Sequence, residues 1–129
     1  MHIIGTGTDI VEVARIARLL NRSGNRFVQR VLSAQEQQQF AILVPIRQPA
    51  WFAKRFATKE ALAKALGTGI GERARLTEIE TRHDALGRPE LVLHGVTEAT
   101  AARLGVSRLS LSVADEQAYA VAFVILTGD

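Results

Sequence analysis

The stretch from about residue 50 to residue 66, AWFAKRFATKEALAKAL, constrains the fold more than any other part of the chain. Wound as a helix at about 100° per residue, it puts Trp51, Leu62 and Leu66 on one side and Phe52, Ala53, Phe56, Ala57 and Ala63 on a second. A helix apolar on two sides must be covered on two sides, so this segment reads as one long buried helix. The winding leaves Lys54, Thr58 and Lys59 as its polar remainder. Glu60 and Lys64 are a different matter: a separation of four puts them one turn apart on a common face, and that face is the second apolar side. The run GTGIG then stops the helix, with glycines suited to a left-handed C-terminal cap and to close approach by something else.

Two readings of Glu60 and Lys64 stand side by side. As a solvated pair at this spacing they would stabilise the helix by about 0.3–0.5 kcal/mol. Set among Phe and Ala, however, each charge loses solvation, and a metal or a ligand phosphate becomes a natural compensating partner. Asp9 is equally double-sided. D-x-x-E before an apolar helix is a helix-start signature, with Asp9 as N-cap and Glu12 three positions on. A carboxylate at a strand end beside glycines is also a common place for a site residue. Asp9 with Glu60 would supply two hard oxygen ligands, which suits magnesium, a cation that takes one or two carboxylates and completes its octahedron with water and substrate phosphate.

Around the central helix the pattern is mixed. HIIGTGT reads as a short strand loosened by Gly5 and Gly7, and DIVEVARIARLL as a helix with Ile10, Val13, Ile16, Ala17 and Leu20 on its apolar side. NRSGN ends that helix, a second helical stretch begins near Arg26, and Ser33 with Glu36 matches a capping box. LTEIETRHD and ELVLHG read as strands joined by the ALGRP turn, VTEATAARLG as a short helix, SRLSLSV as an alternating strand and AYAVAFVIL as a buried one. Strands and helices without strict βαβ alternation give an α+β class, with a small antiparallel sheet packed against helices. The 129 residues, without internal repeat or linker, read as a single domain, 1–129.

Composition narrows the chemistry. Zero cysteines exclude disulfides and thiol catalysis, so a metal would have to use oxygen or His. His2, His83 and His94 lack ligand spacing, and Ser110, Ser112 and Asp115 form no nucleophile elbow. No apolar run is long enough to cross a bilayer and the N-terminus lacks a secretory pattern, so a cytoplasmic location is expected. The net charge of +3 is unevenly placed. Arg15, Arg18, Arg22, Arg26 and Arg30 recur every three or four residues with no acid between Glu12 and Glu36, and such a stripe invites an acidic partner. A small basic RNA-binding protein is the rival reading of this stripe, although only seven aromatics (five Phe, one Trp, one Tyr) are present to stack on bases.

Taken together and in order, GTGTDIVEVARI, FAKRFATKEALAKALGTGI, the LGRPEL turn and ADEQAYAVAFVIL resemble the holo-acyl-carrier-protein synthase family of small bacterial phosphopantetheinyl transferases. The resemblance runs from Ile4 to about Leu126, and RFATKEALAKALGTGI is its most specific block. It implies the 4'-phosphopantetheinyl transferase fold and transfer of phosphopantetheine from coenzyme A to a serine of an apo acyl carrier protein, releasing adenosine bisphosphate, a step of fatty acid biosynthesis. It implies magnesium on Asp9 and Glu60, and Lys64 beside the coenzyme A phosphates. It also implies a homotrimer with sites at subunit interfaces, and docking of the acidic carrier protein on Arg15, Arg22 and Arg26. Lys54, Arg55, Arg88 and Pro89 are candidate coenzyme A contacts, with a surface role as the alternative for the basic ones. Gly67, Thr68 and Gly69 would shape the pocket wall. The proton of the attacking serine would go to Glu60 or to a water that Glu60 orients. One departure stands out: many family members carry His where SLSVADE has Val113, so no histidine role transfers.

Overall fold

The computed structural model describes residues 1–129. Five strands and four helices follow one another as β1 (His2–Glu12), α1 (Val13–Val31), α2 (Ala34–Ala41), α3 (Gln48–Ala65), β2 (Ile79–His83), β3 (Pro89–Leu93), α4 (Gly95–Arg103), β4 (Arg108–Asp115) and β5 (Tyr119–Gly128). Single 3-10 turns at Pro45–Arg47 and Leu76–Glu78 lead into α3 and β2. β5 is the centre of an antiparallel three-stranded sheet, in the order β1-β5-β4, while β2 and β3 pair separately as a hairpin. The α+β reading is therefore correct, with the small antiparallel sheet expected of it.

The central helix α3 packs across the sheet on one side and against α1, α2 and β2 on the others. Phe52, Ala53, Ala57, Ala61, Leu62 and Ala63 are fully inaccessible, and they join Val124 and Leu126 of β5 in one continuous core. Its polar remainder differs from the expected one. Lys54 is half-buried, but Thr58 and Lys59 are as buried as the leucines. A helix covered on nearly every side has no wet face for a projection to find, so the two lie inside because partners receive them there.

β1 is longer than the sequence pattern implied. It pairs with β5 without a break from Gly5↔Leu126 to Glu12↔Tyr119, after a register shift between Ile3 and Gly5. Asp9 is thus a mid-strand residue opposite Ala122, and α1 starts only at Val13 after a Glu12 N-cap whose side chain makes no capping bond. Helix-start spacing is outweighed here by the alternation of the strand: Gly7 and Val11 face the core while Ile10 is 64 % exposed. In α1 the chain kinks at Gly24, whose φ of 48° and ψ of −127° are open to glycine and strained for other residues. The kink divides the arginine stripe between Arg22 and Arg26, and all five of its arginines are exposed.

The capping box at Ser33 and Glu36 forms as read, each residue bonding the other's backbone N–H. β5 is buried on one face only: Ala120, Ala122, Val124 and Leu126 face α3, whereas Tyr119, Val121 and Phe123 on the opposite face remain uncovered.

Candidate active site

The first residues that matter to the site have no side chains. A Cβ on Gly5 would lie 1.9 Å from the carbonyl oxygen of Ala65, and one on Gly7 would lie 1.9 Å from that of Ala61. Strand β1 and helix α3 therefore meet backbone to backbone along GTG, and no other residue type could sit there without pushing the helix away. The glycines do not loosen the strand, as their composition implied; they let α3 lie down on it. The sequence carries the signal as two small residues in alternation on β1 facing Ala57, Ala61 and Ala65 at spacings of four on α3.

That close approach brings three charged side chains together. Lys64 Nζ donates to Asp9 Oδ1 at 3.1 Å and to the Thr8 carbonyl at 3.0 Å. Glu60 lies one turn before Lys64 on the same edge of α3. Its carboxyl is held above the ordinary carboxylate range, first by burial and then by the Asp9 charge, with Lys64 acting the other way. Two carboxylates facing one ammonium leave the cluster short of positive charge. Asp9 is 18 % and Lys64 54 % exposed at the side chain, so the cluster opens to solvent.

The residues fit a divalent cation of the magnesium type. Asp9 and Glu60 are hard oxygen donors that destabilise each other as a bare pair, and no third His, Cys, Asp or Glu joins them. A cation there would keep most positions for water and phosphate oxygen, which is how magnesium is held when its substrate is a phosphate.

The other sequence candidates are placed as follows. The end of α3 is a Schellman cap: Gly67 N–H bonds the Lys64 carbonyl at 2.9 Å and Thr68 N–H that of Ala63 at 3.3 Å, with Gly67 at φ 81°. Gly69 N–H also bonds Ala63 O, so these amides serve the helix end and none is left to cradle a phosphate. Lys54 lies 3.4 Å from Asp115 at the end of β4, in a cleft shared with Arg47 and Trp51. Arg55 is not solvated. It is buried, with its guanidinium 4.4 Å above the Trp51 ring and its Nε 3.7 Å from Glu36. Arg88 ends the β2–β3 turn, where it pairs with Asp84 at 2.9 Å, and Pro89 opens β3. They line a cleft with Arg108 and Ser110 that includes neither Asp9 nor Glu60. One copy of the chain thus brings Asp9, Glu60 and Lys64 together and leaves Arg88 and Pro89 in a separate cleft.

Sequence reasoning missed a second cluster behind α3. Lys59, 1 % exposed, donates to Glu36 Oε1 at 2.7 Å, to the Leu76 carbonyl at 2.8 Å and to the Ile79 carbonyl. Glu36 also accepts from Thr81 N–H at 3.3 Å. Glu80 accepts from Ser33 at 3.1 Å and Arg82 at 3.2 Å and contacts His94. Burial pulls the Lys59 ammonium below its ordinary range, with Glu36 opposing.

The fold as a whole has close counterparts. The family model of the 4'-phosphopantetheinyl transferase superfamily matches residues 5–124. The holo-[acyl-carrier-protein] synthase of Edwardsiella ictaluri is 49 % identical over 128 residues, which cover 99 % of this chain and 100 % of that protein. Among solved structures, the holo-[acyl-carrier-protein] synthase of Neisseria meningitidis superposes with a TM-score of 0.91 at 40 % identity, covering 98 % of this chain and 99 % of that one. The Bacillus anthracis synthase, solved in complex with CoA (3',5'-ADP), gives a TM-score of 0.83 at 34 % identity, with 98 % of each chain covered. The chain belongs to the 4'-phosphopantetheinyl transferase superfamily and, within it, to the holo-acyl-carrier-protein synthases. It is accordingly an enzyme of phosphopantetheinyl transfer.

Proposed function

We propose that this chain moves the 4'-phosphopantetheine group of coenzyme A onto a serine of an acidic apo acyl carrier protein, releasing adenosine 3',5'-bisphosphate. The observation that carries the reading is the seam itself, where Asp9 and Glu60 converge under one lysine at the edge of α3. Asp9 and Glu60 would hold magnesium, whose charge, when bound, neutralises the pyrophosphate and stabilises the leaving phosphate. Lys64 sits beside both carboxylates and is open enough to turn its ammonium to a phosphate oxygen. Little covalent help is needed for such a transfer, so most of the work of these side chains is positioning and charge. Glu60, or a water that it orients, takes the proton of the attacking serine. A carboxyl already held above its ordinary range is suited to that task.

The wider assignments rest on the same reading. Coenzyme A is supported by the complexes of the Bacillus anthracis and Helicobacter pylori synthases. Lys54, Arg88 and Pro89 are taken as its further contacts, with Gly67, Thr68 and Gly69 as pocket wall; Arg55, buried between Trp51 and Glu36, is read instead as part of the cluster behind α3. We read the assembly as a homotrimer. The uncovered sheet face of Ile10, Tyr119, Val121 and Phe123 is apolar enough to be buried between copies, and the Arg88–Pro89 turn then has a route to the Asp9–Glu60 seam of a neighbour. Arg15, Arg22 and Arg26, all exposed, would meet the acidic carrier protein. Residues 1–129 act as one domain, supported by the single core, and work in the cytoplasm in fatty acid biosynthesis.

The test is incubation with coenzyme A, magnesium chloride and apo acyl carrier protein, followed by intact mass. A gain of one phosphopantetheine is expected, lost in Asp9→Asn and in Glu60→Gln. Transfer at the wild-type rate in either variant would remove the metal pair from the mechanism.

A further inference from the structure

Helix α3 is held at two opposite points, and Glu60 projects between them. On one side the backbone of Ala61 and Ala65 rests on Gly7 and Gly5. On the other, Lys59 reaches away from β1 to three acceptors: Glu36 in the first turn of α2, and the carbonyls of Leu76 and Ile79 at the entrance to β2. All three ammonium protons are engaged, and the side chain is 1 % exposed. At about 100° per residue, Glu60 lies about 100° from Lys59 and about 100° from Ala61, so the roll of the helix about its axis decides where the Glu60 carboxylate stands. With side-chain ends about 6 Å from the axis, a roll of about 15° moves that carboxylate by about 1.5 Å. The glycine contact fixes how close the helix lies; it does little to stop such a roll, because small residues slide over one another.

We propose that Lys59 is a positioning residue for the transfer: its three-point anchorage behind α3 sets the helix roll that keeps Glu60 opposite Asp9. This rests on the reading of Asp9 and Glu60 as the metal-holding pair. Lys59 touches neither substrate nor metal, and it acts through Glu60. Arg55, one turn earlier on the same side of α3 and 3.7 Å from Glu36, adds charge to the anchorage but shares neither carbonyl contact.

A stabilising role alone and a positioning role separate in the Lys59→Met variant, studied at a temperature where its circular dichroism equals that of the wild type. Arg55, 3.7 Å away, still gives Glu36 a counter-charge there, while the three anchoring bonds of the ammonium are gone. The readout is binding of Mn2+, as a probe for magnesium, to the purified full chain by electron paramagnetic resonance, together with the magnesium dependence of the transfer rate. Positioning predicts that Lys59→Met, though fully folded at that temperature, binds Mn2+ about ten-fold more weakly and needs correspondingly more magnesium for half-maximal rate. Its KM for the carrier protein should stay within about two-fold of wild type, since the Arg15 face is untouched. Wild-type Mn2+ affinity in the folded Lys59→Met variant would overturn the proposal. Should that variant not fold, Lys59→Arg decides: its planar fork can reach Glu36 without reproducing the two carbonyl bonds, and wild-type Mn2+ affinity in it would be equally fatal. Glu60→Gln is the control. If it binds Mn2+ and transfers normally, the metal pair itself is wrong; if it loses both while the Lys59 variants keep both, only the positioning role falls.

Discussion

The two sides of α3 carry the same chemical parts and use them in opposite ways. At the front, Asp9 and Glu60 share one lysine that is more than half exposed, and burial beside a second carboxylate raises the Glu60 carboxyl. At the back, Glu36 shares a lysine whose every proton is bonded, with Arg55 and the Thr81 N–H as further partners. The back cluster holds structure together, with its lysine fully bonded and only the Arg55 Nε short of a hydrogen bond. The front cluster is under-compensated and available to a ligand. Acid–lysine composition does not distinguish a reactive site from a structural one; the balance of charge and the exposure of the lysine do.

The largest effect should come from neutralising the front. Asp9→Asn or Glu60→Gln lowers the transfer rate on the order of 10³-fold while leaving the fold intact, measured as turnover beside a thermal melt. Glu36→Ala, at the back, should do the reverse. It leaves Lys59 buried without its carboxylate and lowers stability by about 3–5 kcal/mol in denaturant titration, before any effect on chemistry. Gly7→Ala tests what joins the two sides, because its methyl would collide with the Ala61 carbonyl. A loss of about 1–3 kcal/mol is expected, with a disproportionate fall in turnover as α3 lifts off β1.

Smaller effects sharpen the contrast. Arg15→Glu should raise the carrier-protein KM several-fold, by about 1 kcal/mol, and flatten its dependence on ionic strength; an unchanged salt slope would remove the arginine face from docking. The pH dependence of stability should have opposite signs at two glutamates. Burial pushes Glu80 up, but the bonds from His94 and Ser33 and the charge of Arg82 outweigh it and hold the carboxyl below its ordinary range. Its contribution is therefore present above the ordinary carboxylate pKa and lost as pH falls through the lowered one, so Glu80→Gln lowers the neutral melting temperature and blunts the acid limb. Glu60 is raised, so its contribution is present in acid and lost as pH rises, and Glu60→Gln should slightly raise the metal-free melting temperature at neutral pH.

The sequence made the central helix, its glycine stop, the capping box and the α+β class legible because each is a local pattern: periodicity, a cap, or a turn residue at a fixed offset. Asp9, Glu60 and Lys64 stand out in the sequence for different reasons, charge among apolar residues for two of them and a block resemblance for all three. What stayed hidden was non-local. Lys59 looked like surface because winding shows which residues share a side and not what waits on that side; its acceptors come from Glu36 and from the carbonyls of Leu76 and Ile79. Asp9 looked like a helix cap because D-x-x-E is local, whereas its true setting depends on pairing with Ala122 far along the chain. The purpose of Gly5 and Gly7 likewise appears only once α3 is laid against them.

The contact at Gly5 and Gly7 has a consequence for how this protein tolerates change. Where peptide units touch directly, the gap between strand and helix is a fixed datum, set by covalent lengths rather than by the bulk of whatever packs nearby. Substitutions elsewhere in the interior can reshape layers above and below that datum while the spacing from Asp9 to α3 stays as it was. A site gauged in this way can keep its dimensions through extensive drift in the surrounding sequence, provided two hydrogen atoms remain where any larger group would act as a wedge.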